Sequence, residues 1–556
     1  MSQITDSGEM QAMPETTRRT LEKALLEPAM TAVTALPSAN DGGSLAEDAA
    51  AADVDVLVVP IAVPRNGGFS SDGTALSAGT AAGKGGEERG TPQPRPTAVQ
   101  VAIAYDVDVA CVAELNNVSG QAAEILIVPA PRNRDDLPAK LILLGVGDES
   151  AKSLRRAGAA LAKATTGGSR VRASVVEGLD TEAQRAFTEG FLLGGYRAPR
   201  AGVTNTPKPM AGQLELTGAD EETVRRSVVT AQATWLTRNL TNMPSNVKNP
   251  EWMAAQSRRL AESAGLNIRV WDEKQLAAEG FGGLTAVGGA AAAPPRLVQL
   301  DYAPDREGTS DTKHIVLVGK GITFDTGGIS LKPREAMMPM KTDMAGAAVV
   351  LSAIQAAAEL GVEYRVTALL ALAENAIGAE SYRPGDVVTA FGGTTIEVGN
   401  TDAEGRMVLA DALAYAVQEL APDVLIDVAT LTGAAAVGLG KHDAALFSNT
   451  DGLASAFQRA GDATGERVWP MPLVEDYTFA LESPIADLTH IAAPSAKIQG
   501  GSIFAALFLR EFVGTTPWVH LDIAGPARAD SDQHEITKGA TGYGTRLLLS
   551  FLRGGF

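Results

Sequence analysis

Apolar residues along this chain fall into short runs that alternate with stretches of helical spacing. Residues 54–63 (VDVLVVPIAV) have the length and continuity of a buried strand, and residues 99–104, 125–128 and 141–146 are shorter runs of the same kind. Residues 153–164 and 181–196 space their apolar side chains as helices do. Strands alternating with helices predict an α/β domain with a largely parallel sheet, ending near residue 208. Two stretches break the pattern. Residues 1–50 mix polar and small residues, with a short amphipathic helix at 16–26, and read as a disordered extension. Residues 64–97 are dense in Gly, Ser, Thr, Ala and Pro without periodicity and read as a flexible surface insertion in the 51–208 domain.

A linker at 209–240, helical from about 219, leads to a second domain over 241–556. There the alternation resumes: helix 252–264, strands 268–271, 297–302 and 315–318, and the alanine-rich helix 345–360. Strand 366–372, helix 407–420, strand 424–429, helix 502–512 and strand 519–523 follow. The expected fold class is α/β in two domains, the second built on a mostly parallel central sheet. Ligands of open α/β sheets bind beyond the carboxyl ends of strands; Lys320, Thr430 and Gly525 fall just after such ends. No dinucleotide fingerprint or P-loop follows a strand of the first domain, which therefore shows no chemistry of its own.

Composition narrows the class. The 556 residues exceed what one core supports, and 45% hydrophobic content allows a sizeable interior. A net charge of −19 repels phosphate backbones and anionic lipid, so nucleic acid is a poor partner. Cys111, the one cysteine, lies in the apolar run 109–112 and is expected to be a buried structural thiol. The five histidines show no zinc-type pairing, so any metal is expected to rest mainly on oxygen ligands. No unbroken apolar run approaches about 18 residues, and residues 1–23 lack the apolar core of a secretory signal. A cytoplasmic protein without a membrane span is expected.

Two stretches concentrate the chemistry. VGKGITFDTGGISLKPREAMMPMKTD, at 318–343, sets Lys320, Asp325, Lys332 and Asp343 on glycine- and proline-broken backbone. NTDAEGR, at 400–406, sets Asp402 and Glu404 before Arg406. Singly, each has an ordinary explanation: Asp343 an N-cap, Asp402 an Asx-turn, Asp325 a turn, Glu404 a partner of a helix dipole, Lys332 and Arg406 solvated charges. Capping does not require Lys320 between glycines, or acid, small residue, acid and arginine in one loop. In extended backbone Asp402 and Glu404 would point to one side. Four converging carboxylates would repel unless cations neutralise them, and two divalent ions can activate a water against an amide or phosphoester.

These motifs resemble the leucine (cytosol) aminopeptidase family, whose signature is NTDAEGR. VGKGITFDTGG, KTDMAGAA at 341–348, VATLTGA at 428–434, WVHLDIAGPA at 518–527 and KGATGYGTR at 538–546 support the resemblance. It is strong over about 219–552, looser over 53–208, and absent from the first 50 residues and the insertion. The resemblance implies two divalent metal ions, Mn²⁺ or Zn²⁺, one held by Asp325, Asp402 and Glu404 and the other by Lys320, Asp325, Asp343 and Glu404. It implies Lys332 as the residue that polarises the substrate carbonyl and Arg406 as the holder of a bicarbonate general base. Met340, Thr430 and Gly433 match the pocket for the N-terminal side chain, and Leu431 and Thr432 match backbone contacts to substrate or anion. It further implies peptide substrates with a free N-terminus, a hexamer, and a macro-like first domain. Two other readings compete and are disfavoured by the residues: a two-metal phosphoesterase, which would normally recruit histidines and a phosphate cradle missing around these loops, and a first domain binding ADP-ribose-like ligands beside an inert scaffold, which replacement of Lys320, Asp325, Asp343, Asp402 or Glu404 would have favoured.

Overall fold

A computed structural model of the chain describes residues 30–38, 45–63, 93–198, 210–304 and 312–554, together with 18, 19 and 22. The first domain is organised on β1 (Ala32–Leu36), β2 (Val56–Ala62), β3 (Gln93–Pro94), β4 (Ile125–Pro129), β5 (Lys140–Gly147), β6 (Arg170–Ala173) and β7 (Gln213–Thr217). Their order is β1-β7-β6-β2-β5-β4, with β3 beside β2. The pairings from β1 through β5 are parallel, while β3 and β4 are antiparallel additions. β2 is apolar throughout because both its faces are covered. Val56 and Val58 join the core under the helices Ala151–Ala164 and Thr181–Gly194; Leu57, Val59 and Ile61 join the core under the helix Pro96–Ala104.

Several sequence expectations change here. Residues 99–104 are helical, not a strand: Pro96 starts the helix, Ala98, Val101 and Ala102 turn inward, and Val99 and Ile103 face out. Residues 32–36 and 45–51, expected to be disordered, form β1 and the helix Leu45–Ala51. β1 owes its order to its parallel register with β7, a distant pairing that its small, weakly alternating side chains do not announce. Cys111 is exposed on the helix Val109–Leu115, which turns Val109 and Ala113 inward instead. Residues 1–17, 20–21, 23–29 and 39–44, and so most of the expected helix at 16–26, lie outside the described residues, as do 64–92 of the insertion.

The second domain contains β8 (Asn267–Trp271), β9 (Arg296–Tyr302), β10 (His314–Asp325), β11 (Arg365–Asn375), β12 (Val387–Thr389) and β13 (Thr395–Glu397). β14 (Val424–Ala429), β15 (Ala444–Ser448), β16 (Val468–Pro470), β17 (Leu488–Thr489) and β18 (Trp518–Asp522) follow, and β19 (Arg528–Ala529) and β20 (Gly539–Ala540) form a two-stranded sheet of their own. Eight strands run β16-β15-β18-β14-β10-β11-β9-β8, and β12, β13 and β17 make a small separate sheet. The centre, β18-β14-β10-β11, is parallel. Ile315 and Leu317 of β10 pack with the helix Ala345–Leu360, and Val316 and Val318 pack with the helix Glu404–Tyr415 on the other face.

β10 is longer than the apolar run 315–318 suggested, so Lys320 sits within the strand and not beyond its end. Gly319 lets this happen: a Cβ there would lie 2.5 Å from Ala347 Cα, so only glycine allows the helix Ala345–Leu360 so close to the strand. The helical stretch Arg334–Leu360 is apolar enough to cross a membrane, with mean hydropathy 1.3, yet 78% of that window is buried inside the protein. It is a core helix, and its short breaks hid it from a count of unbroken apolar runs. The helix Glu221–Asn242 ties the domains together. Its Arg238, fully buried, donates to Leu193 O at 3.0 Å in the first domain and to Thr541 O at 2.7 Å in the second.

Candidate active site

The site lies at the carboxyl end of the central strands, where three separate segments meet. β10 brings in Lys320 and, as its last residue, Asp325, both buried. The turn Met340–Thr342 places Asp343 against Lys320, whose Nζ donates to Asp343 Oδ1 at 3.0 Å and lies 2.9 Å from Oδ2. Thr430, just past β14, donates its hydroxyl to Asp343 Oδ1 at 2.7 Å, and its carbonyl accepts from Lys320 Nζ at 2.9 Å. Glu404, the first residue of its helix, lies 3.0 Å from the same Nζ.

Asp325, Asp343 and Glu404 therefore offer carboxylate oxygens within 4.8 Å of one another, all on buried residues. Asp402 joins them through Lys332, whose Nζ lies 2.8 Å from Asp325 Oδ2 and also touches Asp402 Oδ1. The ordinary explanations fail for two of these acids. Met344, not Asp343, occupies the N-cap of the following helix and makes no side-chain cap. The Asx-turn belongs to Asn400, whose Oδ1 accepts from Asp402 N at 2.8 Å. Residues 401–402 form a turn, not extended backbone, so Asp402 and Glu404 share the site because the chain turns into a helix between them.

Burial raises the carboxyls of Asp325, Asp343 and Asp402 above the usual range; Glu404 adds to the rise at Asp325 and Asp343, and the lysines oppose it. Burial also disfavours the charge on Lys320 and Lys332, but the surrounding carboxylates outweigh it and raise both pKa values. Asp343 Oδ2 and Asp402 Oδ1 meet only the ammonium groups of Lys320 and Lys332, while Glu404 Oε2 and Asn375 Oδ1 are buried without a partner among the described residues. Each such acceptor costs about 1–3 kcal/mol when left unpaired. A converging, oxygen-rich set of carboxylates of this kind fits hard or borderline divalent cations, which satisfy several carboxylates at once.

Arg406 follows on the same helix. It is buried, donates through Nη1 to His490 O at 2.5 Å, and has a buried Nε without a partner. Burial lowers its pKa to about 10, against the opposing pull of Glu404 and Asp522. A desolvated guanidinium with a free donor beside the carboxylates can hold a small anion.

Comparison with known proteins agrees with this arrangement. The description of the cytosol aminopeptidase family catalytic domain matches residues 235–549, and that of the family's N-terminal domain matches 91–201. The chain belongs to the cytosol aminopeptidase family. A probable cytosol aminopeptidase of Roseiflexus castenholzii is 43% identical over 453 residues, 78% of this chain and 91% of that protein. One from Streptomyces coelicolor is 39% identical over 505 residues, 85% and 94% of the two chains. Among solved structures, the bottromycin maturation enzyme BotP in complex with Mn superposes with a TM-score of 0.75 at 33% identity, covering 90% of this chain and 99% of that one. A tomato leucine aminopeptidase mutant gives 0.77 at 29% identity, covering 94% and 97%. Like its relatives, this cytosol aminopeptidase family member is a metal-dependent aminopeptidase, a hydrolase acting on peptides.

The remaining residues singled out in the sequence gather around the centre. Met340 is half-buried in the turn that leads to Asp343. Thr430 is bonded to the centre itself, and a Cβ on Gly433 would meet nothing within 4 Å, so open space lies beside it. The amides of Leu431 and Thr432 donate to Asp522 at 3.1 and 3.0 Å, and Thr432 caps the helix Gly433–Leu439.

Three supporting residues carry no signal in sequence spacing. Asn375, ending β11, donates to Asp325 Oδ1 at 2.8 Å and to Thr401 O at 3.0 Å, so it ties the two acidic segments together. Asp522 holds the 431–432 backbone. His490 bonds NTDAEGR from behind: Gly399 N donates to Nδ1 at 3.2 Å, and Nε2 lies 3.0 Å from Asn400 O. Nδ1 also lies 3.1 Å from Glu397 O, so the two ring nitrogens meet one amide and two carbonyls.

Proposed function

We propose that this enzyme removes N-terminal residues, leucine among them, from peptides at a centre of two divalent ions, Mn²⁺ or Zn²⁺. The observation that carries the reading is the convergence of the buried carboxylates of Asp325, Asp343 and Glu404, with Asp402 beside them, balanced only by Lys320 and Lys332. One ion would be held by Asp325, Asp402 and Glu404, and the other by Lys320, Asp325, Asp343 and Glu404, with Lys320 giving up its proton. Such ions supply an activated water and a Lewis acid for the scissile carbonyl.

The side chains do the rest. Lys332, close to Asp325 and Asp402, is positioned to donate a hydrogen bond to the oxygen that gains charge as the amide is attacked. Arg406 would hold a bicarbonate through its free Nε, and such an anion would supply a proton acceptor there. The ring of His490 is committed to the backbone of the 399–400 loop, which supports this division of labour. Met340, Thr430 and Gly433 bound the pocket for the N-terminal side chain, and Leu431 and Thr432 present backbone to substrate or anion.

The same reading makes the enzyme a cytoplasmic hexamer. The relatives are named for the cytosol, and Ile329, Leu331, Met338 and Val437 expose apolar surface in segments flanking the site, as an assembly face would. A phosphoesterase draws no support, because no histidine stands among the grouped ligands. Hydrolysis of leucine p-nitroanilide with added Mn²⁺ or Zn²⁺, and its loss on chelation, tests the proposal; turnover that persists without metal contradicts it.

A further inference from the structure

The cleft between the two domains holds a group of cations that shares no residue with the peptidase site. A cavity of about 360 Å³ opens between the first turns of the helix Ala151–Ala164 and catalytic-domain segments at 441–442, 462–467 and 526–546. Its wall carries six lysines and arginines against three carboxylates, in a chain of net charge −19. Three of the six have partners: Arg546 lies 3.2 Å from Glu466, Arg467 lies 2.8 Å from Asp443, and Lys441 pairs with Asp530. Glu466 is itself satisfied, also accepting from the amides of Gly544 and Leu547. Lys152, Arg155 and Arg156 make no ion pair among the described residues, although Glu189 and Glu535 act on Arg155 from further off.

Arg155 is the telling member. It is 3% exposed and donates through Nη2 to Ala463 O at 3.0 Å, but its buried Nε has no partner. A buried N–H left unpaired is costly, and an acceptor entering the cleft would relieve it. Lys152 and Arg156 flank it near the positive end of the same helix. The local potential also acts on His534 across the cleft. Burial lowers its pKa, and Arg156, Lys163 and Lys152 push the same way against Glu535.

We propose that this cleft binds a small, multiply charged oxyanion of the phosphate class. It would be held by Lys152, Arg155 and Arg156 of the first domain against the catalytic domain, so that the ligand fastens one domain to the other. The remainder of the acidic surface repels such an anion, which makes the cleft its preferred place.

The full-length enzyme, metal-loaded, is titrated with inorganic phosphate, pyrophosphate and glycerol phosphate in buffers of constant ionic strength. Calorimetry gives the affinity and thermal unfolding gives the shift. Saturable binding with a raised melting temperature is expected, at least about tenfold weaker in Lys152→Ala/Arg156→Ala. Binding of free phosphate or of the monoester supports the site and tells the two sources apart. Equal affinity in the double variant overturns the proposal, because phosphate captured at the metal centre would survive that change. So does a melting shift that chloride reproduces at the same ionic strength. Lys152 is exposed and Arg156 half-buried, so folding is expected to survive. The phosphate-free melting temperature checks this, and Arg156→Gln, a milder change, is expected to weaken binding in the same direction.

Discussion

A Cβ on Gly405 would lie 2.4 Å from Lys320 Cε and 2.6 Å from its Nζ. The glycine between Glu404 and Arg406 thus leaves the space that Lys320 fills, which is how the signature loop and β10 come to share one centre. Gly405→Ala should displace Lys320 by about an ångström and cut kcat/KM about a hundredfold. Metal content per chain should fall while the unfolding transition stays cooperative. Kinetics and metal analysis on one preparation check this; unchanged turnover would show that Lys320 does not need its present position.

Lys332 touches Asp325 and Asp402 but belongs to neither proposed ligand set. Lys332→Ala should therefore lower kcat about 10²–10³-fold, the usual effect of losing one donor to a developing oxyanion. Both metals should remain, and KM should move less than kcat. Loss of metal in this variant would instead make Lys332 a structural part of the centre.

Arg406 offers its free Nε to an anion, and its Nη1 donates to the backbone of His490. Arg406→Ala should slow turnover about 10²-fold, within the range of a positioned proton acceptor. Both metals should stay bound. Wild-type activity should rise with added bicarbonate and the variant's should not, as followed in carbonate-free buffer. An equal response in both would remove the anion from Arg406.

His490 gives a pH dependence with a defined sign. Burial, with help from Arg406, lowers its pKa from 6.5 to about 4. Between these values the unfolded chain binds more protons than the folded one, so stability falls as pH drops through that window. The loss reaches about 3 kcal/mol by pH 4, where the folded state also begins to protonate. Urea midpoints at several pH values across the window should show a steep acid slope in the wild type and a shallower one in His490→Gln. Identical slopes would assign the acid sensitivity elsewhere.

Much of the site was legible in sequence because its chemistry-bearing residues sit in two compact motifs. Asp325, Asp343 and Glu404 converge as those motifs suggested. The supporting shell was not legible, since Asn375, His490 and Asp522 reach the centre from strands and loops far along the chain, by bonds that leave no local pattern. The central strands were found from their apolar runs, but β10 was cut short, because the glycines around Lys320 look like a loop until the helix Ala345–Leu360 is packed on them. β1 and the helix Pro96–Ala104 were missed for a related reason. Their small or mixed side chains take their conformation from neighbours, not from an intrinsic period.

Counting the bound metal tests the account most directly. Purified wild-type protein equilibrated with Mn²⁺ or Zn²⁺ and freed of excess should carry two ions per chain and hydrolyse leucine p-nitroanilide. Glu404→Ala, folded, should lose ions and activity together. Full turnover in a wild-type preparation shown to be free of divalent metal, or two ions retained with full turnover in Glu404→Ala, would contradict it.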